Sequence, residues 1–167
     1  MKVSDFIIEY LREFTNHIFL LPGGNSMHLV DSVGKSGIPY TVCLHEQACA
    51  FAAIGYAEYS GKLGVCITTS GPGALNALTG CAAAYTEGVP VLFISGQTPT
   101  NFLRDTRLMG VQGINTFNIV WRMTKRSFLL GGRITEDILE KMILAALTPR
   151  QGSVWVDIPL NVQAMEI

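Results

Sequence analysis

The sequence predicts an α/β fold: a doubly wound, mainly parallel six-stranded sheet with helices on both faces. Three observations carry that prediction. Strand-like and helix-like segments alternate along the chain, the order that builds βαβ units. The strand candidates are mostly continuous apolar runs, as expected of strands covered on both faces. Glycine-bearing turns follow three of them: Leu21-Pro22-Gly23-Gly24, Ser70-Gly71-Pro72-Gly73 and Ser95-Gly96-Gln97. Parallel strands gather their carboxyl ends on one edge, where ligands of open α/β sheets bind.

Taken in order, Val3, Phe6, Ile7, Tyr10, Leu11 and Phe14 recur at helical spacing, with Ser4 or Asp5 available as a cap. Asn16 can end that helix in a left-handed conformation. The apolar run 17–21 reads as a buried strand stopped at Pro22, and a helix follows over 26–35. Residues 40–43 read as another buried strand, leading into a helix from Glu46 to about residue 59. A glycine turn at 61–64 precedes a strand at 65–68, a helix over 74–85 and a strand over 89–95, whose early Pro90 is tolerated at a strand start. Periodicity then disappears from 96 to 115, and loops of that length inside a compact domain tend to be functional. A short helix at 117–120, a strand at 127–130, a helix over 135–147 and a strand at 153–157 complete the set, with 159–162 as an exit.

The totals narrow the function classes. A chain of 167 residues falls in the range of one domain. Only 15% of residues are charged while 49% are hydrophobic, and mean hydropathy is +0.33. Such a composition suits a sheet covered on both faces plus apolar surface buried against another subunit or domain. A net charge of -1 offers no basic field for nucleic acid. Cys43, Cys49, Cys66 and Cys81 have neither disulfide-framework nor zinc spacing and read as small core residues, so no metal ligand is expected. No apolar run reaches the roughly 18 residues of a membrane span, and Asp5 and Glu9 break any signal-peptide pattern. The expectation is a cytoplasmic protein.

Glu46 follows a strand and opens a helix. On residues alone it is either a ligand-facing acid at the binding edge or an acid favoured by the helix dipole. Neither a phosphate-loop motif nor G-x-G-x-x-G is present, which disfavours nucleotide readings. Ala48, Ala52, Ala53 and Gly55 on one helix, and Ala74, Ala77, Gly80, Cys81 and Ala84 on another, allow close helix approach. They serve either this chain's own packing or an interface with a second copy. His45 either faces the site or caps the helix, and His17 and His28 read as structural or surface residues. Phe93, Phe117, Trp121, Phe128 and Trp155 read as core; Asp157 is a strand-end acid of no evident role.

Together, His45-Glu46-Gln47-Ala48, Ala52-Ala53-Ile54-Gly55-Tyr56-Ala57, Thr69-Ser70-Gly71-Pro72-Gly73-Ala74-Leu75-Asn76 and the segment from Pro90 to Gln97 resemble the thiamine-diphosphate enzymes. More narrowly the chain is similar to the pyrimidine-binding (PYR) N-terminal domain of acetolactate synthase and its relatives, over 1–167 as one PYR domain. The resemblance implies that Glu46 hydrogen-bonds the cofactor's pyrimidine ring and promotes the tautomer that activates the thiazolium carbon toward a 2-keto acid. It implies that Pro22, Gly23, Gly24, Ser70, Gly71, Pro72, Gly73 and Asn76 border the cofactor or substrate, with Gln112 near the reacting centre. It also implies Mg²⁺ and a diphosphate-binding domain carrying a G-D-G motif. That motif does not occur in this sequence, nor does a region matching the central domain. The expected partner is therefore a diphosphate-binding domain or subunit in cis or trans, within a homodimer or larger assembly. Alternatives are the α subunit of a split sulfopyruvate- or phosphonopyruvate-type decarboxylase, or a non-catalytic dimerisation or regulatory module. Val111, Gly113 and Ile54 depart from the acetolactate synthase pattern, which leaves the substrate open, and the loop 98–109, with Arg104, Asp105 and Arg107, has no secure alignment to it.

Overall fold

The computed structural model describes residues 1–103, 110–132 and 134–167; Arg104, Asp105 and Arg107 fall outside the described residues. Its elements are α1 (Val3–Leu11), β1 (Ile18–Leu20), α2 (Met27–Ser36), β2 (Tyr40–Val42), α3 (Glu46–Ser60), β3 (Gly64–Thr68), α4 (Pro72–Asn76) and α5 (Leu78–Glu87). There follow β4 (Val91–Gln97), α6 (Thr116–Val120), β5 (Arg126–Leu129), α7 (Glu136–Leu147), β6 (Val154–Pro159) and α8 (Leu160–Gln163).

The strands form one six-stranded sheet in the order β2-β1-β3-β4-β6-β5, every pair parallel. Side chains alternate across it because the strand period is two. Val65, Ile67, Leu92, Ile94, Val154 and Val156 enter one apolar cluster with α1, α2 and α7. Cys66, Val91, Phe93 and Trp155 enter a second with α3 and α5. Both faces are therefore covered, which is why the central strands are apolar without interruption. From β1 the chain winds outward to β2, then returns across β1 to β3. That reversal makes the carboxyl ends of β1 and β3 the switch point of the sheet, where ligands of this fold class bind.

Several expectations shift. The run at 40–43 is a strand but not a buried one: Tyr40 and Val42 are 48% and 49% exposed, because β2 is an edge strand paired to β1 alone. Trp121 is not core; it is 57% exposed at the end of the one-turn α6, with the Arg122 guanidinium 4.5 Å from its ring centroid. The helix expected over 74–85 begins earlier, since Pro72 at the first helical position presets the backbone, and it divides at Ala77 into α4 and α5. Residues 160–163, expected as an exit, form α8. Phe93 and Trp155 are core and stack with ring centroids 5.4 Å apart, whereas Phe117 and Phe128 are half-buried. Cys49, Cys66 and Cys81 are buried, Cys43 is half-buried, and all are free thiols.

The small residues of helix α3 divide between a buried and an exposed face. Cys49, Ala50, Ala53, Ile54 and Ala57 are buried inward. A Cβ at Gly80 of α5 would lie 2.4 Å from the Ala50 Cβ, so the two helix backbones cross in close contact. The opposite stripe, Ala48, Phe51, Gly55 and Tyr59, is exposed. No described helix is long and apolar enough to cross a membrane.

Candidate active site

Glu46 is the first residue of α3, and His45 is its N-cap, the Nδ1 atom accepting from the Gln47 amide at 3.1 Å. This decides His45: it caps the helix and frees Glu46 to turn toward the sheet edge. Glu46 is only 9% exposed. Asn76 Nδ2, at the end of α4, donates to Glu46 Oε2 at 3.0 Å. The other oxygen lies against Gly73, where an added Cβ would sit 2.9 Å from Oε1 and 2.7 Å from Thr69 Cγ2. Any side chain at position 73 would crowd the carboxyl group. Among the described residues Asn76 is the one donor to Glu46, so Oε1 keeps its hydrogen-bonding capacity.

The turns after β1 and β3 meet at this edge of the sheet, whereas Ser95-Gly96-Gln97, expected as a third turn, continues β4 in register with β6. Asn25, next to Pro22, Gly23 and Gly24, donates from Nδ2 to Ser70 Oγ at 2.7 Å, and its backbone amide donates to Thr69 Oγ1 at 3.3 Å. Ser70 Oγ in turn donates to Gln112 Oε1 at 2.9 Å. The serine hydroxyl has one hydrogen; with the Asn25 amide donating to its oxygen, that hydrogen goes to Gln112. The Gln112 oxygen is thus occupied and its Nε2 is the end left to meet a ligand. Gly71 adopts φ 61° and ψ -126°, and a Cβ there would fall 2.3 Å from the Val111 carbonyl oxygen. The 70–73 turn and the 111–113 turn therefore touch backbone to backbone.

Of the residues singled out by sequence, Glu46, Gly73 and Asn76 form one group, and Ser70, Gly71 and Gln112 a second beside it. Ser70, Gly71 and Gly73 are buried; Pro22, Gly24, Pro72, Asn76 and Gln112 stand exposed around them and Gly23 is half-buried. Asn25 and Thr69 were missed. Neighbouring glycine turns were their only signal, since nothing in the sequence says that Asn25 reaches across to Ser70. Among the described residues no group of three or more His, Cys, Asp or Glu side chains could hold a metal ion.

Residues 1–119 match the family model described as thiamine pyrophosphate enzyme, N-terminal TPP binding domain. The acetolactate synthase isozyme 2 large subunit of Escherichia coli is 37% identical over 98% of this chain and 30% of its own length. A probable acetolactate synthase large subunit of Methanocaldococcus jannaschii is 38% identical over 100% of this chain and 28% of its own. The chloroplastic acetolactate synthase of Arabidopsis thaliana is 37% identical over 97% of this chain and 24% of its own. The chain thus spans less than a third of the length of these relatives.

Proposed function

From a chain that belongs to the N-terminal TPP-binding family of thiamine pyrophosphate enzymes, we propose the pyrimidine-binding half of a thiamine-diphosphate-dependent 2-keto acid decarboxylase or carboligase of the acetolactate synthase type. The observation that carries this reading is the state of Glu46: nearly buried at the sheet's ligand edge, fixed by Asn76 at one oxygen and cleared by Gly73 at the other. A carboxyl group with one free oxygen beside a side-chain-free wall fits a flat ring nitrogen that shares a proton. The bound cofactor would supply a carbon acid and an electron sink, which no protein side chain provides. This chain's part is positional and acid–base. Glu46 holds or gives the proton at Oε1, and Asn76 keeps the carboxyl from rotating. Gln112 Nε2 presents a donor at the same rim, suited to a substrate carboxylate or keto oxygen. The diphosphate and Mg²⁺ fall to a separate domain or subunit, in cis or trans.

The exposed stripe of α3 supports the association half of the reading. On the helix, Phe51 is 48% and Tyr59 95% exposed, and Leu44, two residues before its first turn, is 98% exposed. A row of apolar side chains at helical spacing suits a second copy, and isologous dimers are the commonest such arrangement. The same stripe would serve a purely structural module, but such a module has no use for a fixed, nearly buried acid at the rim. Four free thiols fit a reducing compartment such as the cytoplasm.

The test is Glu46→Gln in the complete protein, read as deuterium exchange at the cofactor's thiazolium carbon. The amide keeps the shape and cannot pass a proton, so exchange should slow by about 10²–10⁴-fold. An unchanged rate removes Glu46 from this role.

A further inference from the structure

Asp157 is a second buried acid at the same sheet edge, and nothing so far uses it. It is 0% exposed on β6, in register with Ser95 of β4. Four donors converge on it. Oδ1 accepts from the Ser95 hydroxyl and from Trp155 Nε1 at 2.8 Å. Oδ2 accepts from the Phe117 backbone amide at 3.1 Å and from Gln97 Nε2 at 3.4 Å. Burial pushes this carboxyl up, and these hydrogen bonds oppose the push by favouring its charged form.

The two oxygens have different jobs. Oδ1 is tied into the sheet itself. Oδ2 is tied to one short stretch of chain: Phe117 directly, and Ile114 through Gln97, whose Nε2 also donates to the Ile114 carbonyl at 2.9 Å. Two residues before Ile114 stands Gln112, the acceptor of the Ser70 hydroxyl.

We propose that Asp157 is a positioning residue: a buried anchor that fixes the 114–117 segment and, through it, holds the Gln112 carboxamide at the rim of the site. This rests on the reading of Gln112 as a ligand-facing donor. An asparagine at 157 has one acceptor oxygen. If that oxygen keeps Ser95 and Trp155, its NH₂ must face the Phe117 and Gln97 donors, so the loop arm is lost while the sheet arm stays.

The experiment uses the complete protein, with Asp157→Asn, Gln112→Ala and the double variant. Amide hydrogen exchange should accelerate by about tenfold or more over 114–117 in Asp157→Asn, with the strand amides of 154–157 unchanged. KM for the 2-keto acid should rise in both single variants, and the double variant should stay within about twofold of the worse single one, since the two act through one group. Unchanged protection at 114–117 overturns the proposal. So does a double variant whose losses multiply. A silent Gln112→Ala with faster exchange in Asp157→Asn retains the anchor but removes its purpose, and that outcome counts against the reading of Gln112. Should Asp157→Asn not accumulate, Gln97→Met cuts the same arm while leaving Asp157 three donors; loss of protection at 114–117 is again required.

Discussion

Replacing Gly71 by alanine should injure the site through geometry alone. Its backbone angles, φ 61° and ψ -126°, lie where a side chain is strained, at a cost of about 1–3 kcal/mol. The larger effect is steric. The new Cβ would meet the Val111 carbonyl oxygen at 2.3 Å and the Gln112 Cα at 2.8 Å. Both are backbone atoms, so no rotamer change relieves the clash. Ordinary contact begins near 3.4 Å, and the Val111 carbonyl must retreat by about 1 Å. Gln112 moves with it, away from Ser70. With Gln112 in its proposed role, a displacement of that size costs on the order of 100-fold in kcat/KM. Gly61→Ala is the control. It has a similar φ, 69°, at the end of α3, and nothing lies within 4 Å of its Cβ position. It should show only the backbone penalty of about 1–2 kcal/mol, with turnover unchanged. The assay is kcat/KM in the complete protein, beside hydrogen exchange over 110–117. Equal turnover in both alanine variants would refute the argument that the two turns position each other.

Two further outcomes follow from surface features. Phe51→Glu, in the middle of the exposed α3 stripe, should lower the mass measured by sedimentation velocity, and an unchanged mass assigns association to another face. Lys2 and Lys35 hydrogen-bond Asp31 at 2.7 and 2.8 Å and hold its carboxyl down to about 2, below the ordinary 3.8. A lowered folded value means stability present above the ordinary value and lost as the pH falls from 3.8 toward 2. Asp31→Asn should therefore flatten that part of the urea-midpoint profile at low salt, with the difference shrinking in high salt. A profile of unchanged slope would contradict it.

The fold was legible because its signals are local. Continuous apolar runs at 65–68, 91–94 and 154–156 can be buried on two faces only within a covered parallel sheet. Glycine and proline mark where the chain must turn, and parallel connection places those turns on one edge. The same reasoning brings Glu46 and the 70–73 turn to one place. It failed where burial depends on neighbours rather than on residue type. The run 40–43 looks like an interior strand, yet β2 has a partner on one side only. Trp121 looks like core, yet α6 ends before it can be covered.

Side-chain partnerships across long sequence distances were decided by the tertiary structure alone. Asn25 reaches Ser70, Ser70 reaches Gln112, and Asp157 gathers Ser95, Gln97 and Phe117, each pair separated by tens of residues. No periodicity records such pairs. A hydrogen bond needs its two atoms within about 3 Å and aligned, and only the packed sheet and its loops fix positions that finely. Residue types and their spacing determined that an acid would stand among glycine turns at the carboxyl edge. The assembled chain determined which of its oxygens is held, which is free, and which donors gather on a second buried carboxyl group.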